Sequence, residues 1–205
     1  VNAFKPEESS KLMYMMARVG NLEAVKNLVR MGINVNSHFL YGKSLKPKDK
    51  IFPISGAFLN GQLDVIKFLL KAGAKISQDQ INWVVQRGYL GVLRYLLDER
   101  GLGYEDKDVL TAAVSGRLNM MKYFIEEKNI DVNTAFSNVV LLCAATSRNH
   151  LEVVRYLVSK GADLSEKQMV IDSTTNKTSF KTALEIAEAN GFTEIADYLR
   201  GKMNP

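Results

Sequence analysis

The side chains able to do chemistry are few, and their spacing points away from catalysis. The two histidines, His38 and His150, stand too far apart in sequence for a recognisable metal motif. The single cysteine, Cys143, sits among Leu141, Leu142, Ala144 and Ala145, surroundings in which a thiol stays protonated and inert. Being alone, it makes neither an internal disulfide nor a thiolate metal cluster, which fits a reducing compartment. Asp106 and Asp108 open a helical stretch, where the macrodipole accounts for paired carboxylates. The sequence shows no phosphate-cradling glycine loop and no nucleophile elbow. No catalytic residue, metal site or cofactor is therefore assigned, and the chain reads as a non-enzyme.

Recognition chemistry is better represented. Trp83, the only tryptophan, lies within a helical turn of Gln86 and Arg87. Aromatic and arginine side chains of this kind dominate interface energetics. A second concentration combines Phe39, Leu40 and Tyr41 with Lys43, Lys46, Lys48 and Lys50, opposed by Asp49 alone. Lysines beside aromatics suit an acidic partner, drawn in by charge and held by apolar contact. Solubility alone is the alternative for these lysines.

These residues are positioned by a sentence written six times. Asn149-His150-Leu151-Glu152-Val153-Val154-Arg155 recurs as Gly20-Asn21-Leu22, Gly61-Gln62-Leu63, Gly88-Tyr89-Leu90, Gly116-Arg117-Leu118 and Gly191-Phe192-Thr193 with similar sequels. Leu151, Val154, Leu157 and Val158 share one side of a 3.6-residue turn, so an amphipathic helix follows each turn residue. Gly161 then ends the helix in a left-handed conformation. Before each turn residue lies a shorter helical stretch. Inner helices are expected near 7–19, 53–60, 79–87, 106–115, 139–148 and 182–190. Outer helices are expected from Leu22 to near Gly32 and at 63–72, 90–100, 118–128, 151–160 and 193–202.

One helix pair cannot bury its apolar stripe, but stacked neighbours can. Small residues such as Ala17, Ala57, Ala112, Ala145 and Ala187 let inner helices approach. Phe68, Tyr95, Tyr123, Tyr156 and Tyr198 recur on the outer helices, where packing between repeats explains them. Lys26, Lys67, Arg94, Lys122 and Arg155 share one position there, read as a solvated face.

The inner stretches carry a resemblance. Thr182-Ala183-Leu184-Glu185-Ile186-Ala187-Glu188-Ala189-Asn190-Gly191 resembles the Thr-Pro-Leu-His-x-Ala-Ala-x-x-Gly pattern of the ankyrin-repeat proteins. Phe52 through Gly61 keeps the proline and first alanine, and Lys107 through Gly116 keeps the Ala112-Ala113 pair. Gly32-Ile33-Asn34-Val35-Asn36 and Gly161-Ala162-Asp163-Leu164 look like the segment leading into that family's hairpin. At the family's histidine stand Tyr14, Ser55, Asn82, Leu110, Cys143 and Glu185, so the tie that histidine makes is not implied here. The resemblance implies an all-α solenoid of about six helix-turn-helix repeats, near 7–36, 52–77, 79–104, 106–136, 139–164 and 182–202, in a single domain over residues 1–205.

It also implies which side chains face a concave groove, namely the fifth, eighth and ninth positions of the inner pattern. Met15, Arg18, Leu59, Trp83, Gln86, Arg87, Val114 and Arg148 are the candidates of most interest among them; Gly56, Thr111, Ala144 and Ile186 share the fifth position with Met15 and Trp83. Helix geometry supports Trp83 independently, because Ile81, Val84 and Val85 mark the buried side and the indole projects away from it. The alternative is an indole folded over the short connection before it.

Spacings between the turn residues are 41, 27, 28, 33 and 42, against a family period of about 33 residues. The first and last connections are thus expanded, at 37–51 and 165–181, and read as loops or hairpins that protrude as fingers. In the second, Met169-Val170-Ile171 and Thr178-Ser179-Phe180 alternate as two strands around a turn. Of the contracted connections, one holds Ser77-Gln78-Asp79-Gln80, a capping box entering the next helix directly. Insertions in solenoids often mark the binding face; drift in length with no binding role is the alternative for each.

The chain is 46% hydrophobic and 24% charged, with net charge +5 over 205 residues. This is ordinary for a folded soluble protein and argues against disorder. No run of 18 apolar residues occurs, so no membrane insertion is expected. The expected function is protein recognition through the groove and fingers, by a monomer in the cytoplasm or another reducing intracellular compartment, the host cytosol included for a secreted effector. The expected partner is another protein, acidic in character. Nucleic acid is disfavoured as a partner, although a groove for a phosphorylated small molecule or RNA, using Arg18, Arg87, Arg148 and a stacking Trp83, stands as the alternative. The chain opens on Val1 rather than methionine, as a fragment or processed chain would, and such a fragment would target a larger protein.

Overall fold

Each helix pair turns through a residue that few side chains tolerate. Gly20, Gly61, Gly88, Gly116 and Gly191 have φ of +78°, +63°, +82°, +65° and +71°, and Asn149 takes the equivalent place at +59°. Glycine enters this left-handed region freely and asparagine at modest cost. The recurring glycine of the sequence is thus a backbone requirement.

In the computed structural model, residues 6–40, 50–171 and 178–203 are described. The turns join α1 (Pro6–Arg18) to α2 (Leu22–Arg30), α3 (Pro53–Leu59) to α4 (Leu63–Lys71), and α5 (Asp79–Arg87) to α6 (Leu90–Arg94). They also join α7 (Asp106–Val114) to α8 (Leu118–Lys122), α9 (Leu141–Thr146) to α10 (Leu151–Ser159), and α11 (Ala183–Ala189) to α12 (Thr193–Met203). These are the expected six pairs, in an all-α repeat fold.

Strands occur only between pairs among the described residues. β1 (Phe39–Leu40) and β2 (Lys50–Ile51) form the base of the first expanded connection, with Phe39 opposite Ile51. β5 (Lys167–Ile171) and β6 (Thr178–Thr182) form the second finger, with Met169 opposite Phe180. A third hairpin, β3 (Ala135–Phe136) with β4 (Val139–Val140), was not singled out from sequence. Its turn residues Ser137 and Asn138 have φ of +51° and +64°, the pairing a two-residue hairpin turn requires. Val139 and Val140 are therefore strand, and the inner helix expected from 139 begins at Leu141.

Two outer helices are wound differently. α6 and α8 each run into a π-helical turn, Tyr95–Glu99 and Tyr123–Glu127. The Arg100 N–H donates to the Tyr95 carbonyl at 3.0 Å, and Lys128 to Tyr123 at 3.1 Å. Leu63 and Gly73, like Leu151 and Gly161, are ten positions apart, whereas Leu90 and Gly101, like Leu118 and Asn129, are eleven apart. The wider turn absorbs the extra residue and lets the left-handed stop fall in place. The short connection before α5 is closed by half of the expected capping box: the Ser77 N–H and hydroxyl both donate to the Gln80 side chain, while the Gln80 N–H donates to the Ser77 carbonyl and not to its hydroxyl.

Packing divides the chain into two units, Val1–Val84 with Gly91–Leu102, and Val85–Leu90 with Gly103–Pro205. Within the first, α1 packs on α3 and α2 on α4, burying Met13, Ala17, Ile54, Ala57 and Leu69. The inner helices approach so closely that a Cβ at Gly56 would collide with the Tyr14 carbonyl oxygen. Within the second, α7 packs on α9 and α9 on α11, while α10 packs on both α8 and α12. Ala112, Ala145 and Ala187 are fully buried on the inner side there, and Met121, Val154 and Leu157 on the outer.

Three recurring contacts tie repeats together. The side chain after the turn residue reaches back to a carbonyl two positions before the preceding turn. Gln62 Nε2 donates to the Arg18 carbonyl at 3.4 Å, Arg117 Nε to Gln86 at 2.7 Å, and His150 Nε2 lies 2.8 Å from the Val114 oxygen. Asn36 spans the next loop, donating to the Gly73 carbonyl at 2.9 Å and accepting from the Lys75 N–H at 2.9 Å. Asn133 does the same with Gly161 at 3.2 Å and Asp163 at 2.8 Å. On the outer helices, Lys67, Lys122 and Arg155 stack on the tyrosines of the following repeat, 4.8, 5.9 and 5.5 Å from the ring centres of Tyr95, Tyr156 and Tyr198. These cations, expected as a solvated face, thus have a packing role: their alignment with the aromatic column makes cation–π pairs between neighbours.

Candidate functional site

Exposed large apolar groups lie on or next to the inner helices of the first unit. Met15 is 49% exposed, Val19 66% and Trp83 46%, with Arg18 exposed and Leu59 half-buried. On α5 the buried side is Ile81, Val84 and Val85, none more than 1% exposed. Trp83 therefore projects away from it, as the helical geometry predicted. Gln86 and Arg87 are exposed further along α5. In the second unit Arg148 is exposed and Val114 half-buried, the Val114 carbonyl being the one that His150 reaches.

The fifth inner position is not uniformly a surface position. Met15 and Trp83 are exposed and Thr111 is half-buried, but Gly56, Ala144 and Ile186 are buried. The three buried cases follow a hairpin, and among the described residues the other three do not. At Gly56 the backbone of α1 lies directly on the helix. At Ile186 the side chain shares a cleft with Val170 of β5. Trp83 is exposed where the preceding connection is contracted and carries no hairpin.

The first finger needs one correction. Phe39, expected as a contact residue, is 5% exposed. Its ring meets Tyr14 edge-on at 5.3 Å between centres, so it fastens the finger to α1 and has no free face. Lys50 at the other strand is exposed. Tyr41, Lys43, Lys46 and Lys48 lie outside the described residues.

Other chemically capable groups have structural employment. Burial pushes the Cys143 thiol up to about 12; the Glu166 carboxylate adds to the rise and a backbone hydrogen bond from Gln168 opposes it. His38 packs its ring on Phe52 at 5.7 Å. Asp108 is fully buried and accepts the Glu105 N–H at 2.9 Å, closing the start of α7. Glu185, which stands at the histidine position of the resembled pattern, accepts the Thr182 N–H at 2.7 Å while Thr182 Oγ1 accepts the Glu185 N–H at 3.3 Å. This reciprocal capping box was legible as Thr-x-x-Glu but was not read from the sequence.

Comparison with known proteins agrees with this architecture. The family model described as ankyrin repeats (3 copies) matches at residues 54–136, 81–168 and 112–204. The chain belongs to the ankyrin-repeat family. It is 42% identical over 65 residues to an ankyrin repeat protein of Rickettsia bellii, covering 30% of this chain and 18% of that protein. It is 30% identical over 118 residues to alpha-latrocrustotoxin-Lt1a of Latrodectus tredecimguttatus, covering 52% and 8%. With an ankyrin repeat and KH domain-containing protein of Caenorhabditis briggsae it shares 25% identity over 174 residues, covering 85% and 5%. The matches thus span less than a fifth of each of these relatives. Among solved structures, the human ASB11 ankyrin repeat domain superposes with a TM-score of 0.64 at 19% identity, covering 94% of this chain and 98% of that one. Ankyrin repeats are generally protein–protein interaction modules and typically non-catalytic. No helix among the described residues of this ankyrin array is long and apolar enough to cross a membrane.

Proposed function

We propose that this ankyrin array is a recognition module for an acidic partner protein, bound by exposed inner-helix side chains with Trp83 as anchor. The supporting observation is the indole itself. A 46% exposed tryptophan stands on a helix whose other large apolar residues are fully buried, and an exposed surface of that kind suits coverage by a partner. Met15, Arg18, Leu59, Gln86, Arg87, Val114 and Arg148 complete the contact set in this reading. The first finger, through Lys43, Lys46, Lys48 and Lys50, guides the encounter by charge. Within a longer protein the array would position neighbouring domains on the target.

Affinity capture with the purified chain beside Trp83→Ala tests the proposal. A protein held by the wild type and released by the variant supports it; equal capture by both overturns the anchor. A nucleotide or short RNA that raises the melting temperature, with no protein captured, would instead support the alternative groove ligand.

A further inference from the structure

The second finger borders a cleft that none of the contact residues above occupies. Its volume is about 450 Å³, and its walls are β5, Lys181 of β6, Ser147 at the end of α9, and Ile186, Ala189 and Asn190 of α11. This lies within the range of about 300–1,000 Å³ typical of ligand pockets. Val170, Ile186 and Ala189 make it largely aliphatic, and Lys181 is the one charged residue among its described walls. The rim of the cleft exposes further apolar surface. Met169 and Ile171, 55% and 57% exposed, lie along the same strand, and Phe180, 66% exposed, pairs with Met169. Gln168 also lines the cleft, and its buried Oε1 accepts no hydrogen bond among the described residues.

We infer that this cleft receives an extended segment of a partner protein, carrying a bulky apolar side chain beside a carboxylate. Each part of such a segment answers a feature of the site. The apolar side chain fills the space against Ile186 and Ala189, where burial removes aliphatic surface from water. The carboxylate pairs with Lys181, and Lys167 adds positive charge nearby: after the cap bonds from Thr182, Lys167 and Lys181 both help hold the Glu185 carboxyl below its ordinary pKa. A backbone N–H of the segment gives Gln168 the donor it lacks once its amide turns outward. A chain segment also covers the exposed Met169 and Ile171 at the cleft's rim and the neighbouring Phe180, which a compact ligand does not. Nucleic acid fits poorly, because the described walls are mainly aliphatic and offer a polyanion one cation. A second copy fits poorly too, because each copy carries net charge +5.

The inference rests on reading the chain as a protein-binding module, but not on Trp83. The probe is a capped ten-residue peptide with a central leucine between aspartates, labelled for fluorescence anisotropy. Saturable binding is expected, weakening with salt, and falling by about tenfold for Lys181→Glu. Ala189 is exposed on α11, so Ala189→Arg keeps the helix while filling the cleft, and should abolish binding with the melting curve unchanged. Trp83→Ala should bind the peptide like the wild type, which separates this cleft from the anchor proposed above. Equal binding to Ala189→Arg, equal binding of a peptide with lysines for aspartates, or no saturation up to about 1 mM would each overturn the inference. So would concentration-dependent dimers abolished by Phe180→Asp, or adsorption to anionic phospholipid vesicles in place of peptide binding.

Discussion

Cys143 shows how a residue's neighbours decide its chemistry. It is 1% exposed and its thiol is pushed from 9.0 up to about 12, chiefly by burial. In the unfolded chain the thiol ionises near its ordinary value, so above that pH the unfolded state holds fewer protons than the folded one. The thiol's contribution to stability is therefore complete below about pH 9 and is lost as pH rises toward 12, at up to about 1.4 kcal/mol per pH unit. Urea titrations between pH 9 and 10 should show this slope flattened in Cys143→Ala, while Tyr156, itself raised to about 12 mainly by burial, contributes equally to both proteins. A wild-type slope no steeper than the variant's would contradict the burial argument. Cys143's inertness was legible in its aliphatic neighbours. The burial of Phe39 was not, because its partner Tyr14 is brought to it only by the fold.

Helices and the second finger were legible because their signals are local: a 3.6-residue apolar period, a left-handed glycine and alternation over a few residues. The π-helical turns left only one trace, a spacing of eleven where three other pairs have ten. The third hairpin was hidden in a connection of ordinary length. Ties between repeats were least legible, since each joins residues about thirty or forty positions apart, as the Asn133 bonds to Gly161 and Asp163 do. Their trace is a recurring Asn-Val-Asn or Asp-Val-Asn at 34–36 and 131–133. Asn133→Ala removes both bonds at an exposed site where water replaces them in part, so a loss of about 1 kcal/mol is expected in denaturant unfolding. An unchanged midpoint would show that these bonds do not couple neighbouring repeats.

At the scale of the whole molecule, stability is a sum over neighbours, and one core residue tests it. Leu96 is fully buried in the π-helical turn after α6. Leu96→Ala should cost about 2–5 kcal/mol, read from the denaturant midpoint. A midpoint equal to the wild type's would remove that turn from the core. Charge acts at the same scale. With net charge +5, replacing Lys43, Lys46, Lys48 and Lys50 with glutamine should slow association with an acidic partner and flatten its salt dependence. An unchanged association rate at low salt would leave the lysines a role in solubility alone. The central claim is that Trp83 serves a partner and not the core. Its most direct test is the affinity of Trp83→Ala for the captured partner by calorimetry, with stability measured on the same sample. An exposed side chain predicts a stability change within about 0.5 kcal/mol and a binding loss of about 2 kcal/mol or more. A variant destabilised by about 3–5 kcal/mol whose folded fraction binds normally would contradict it.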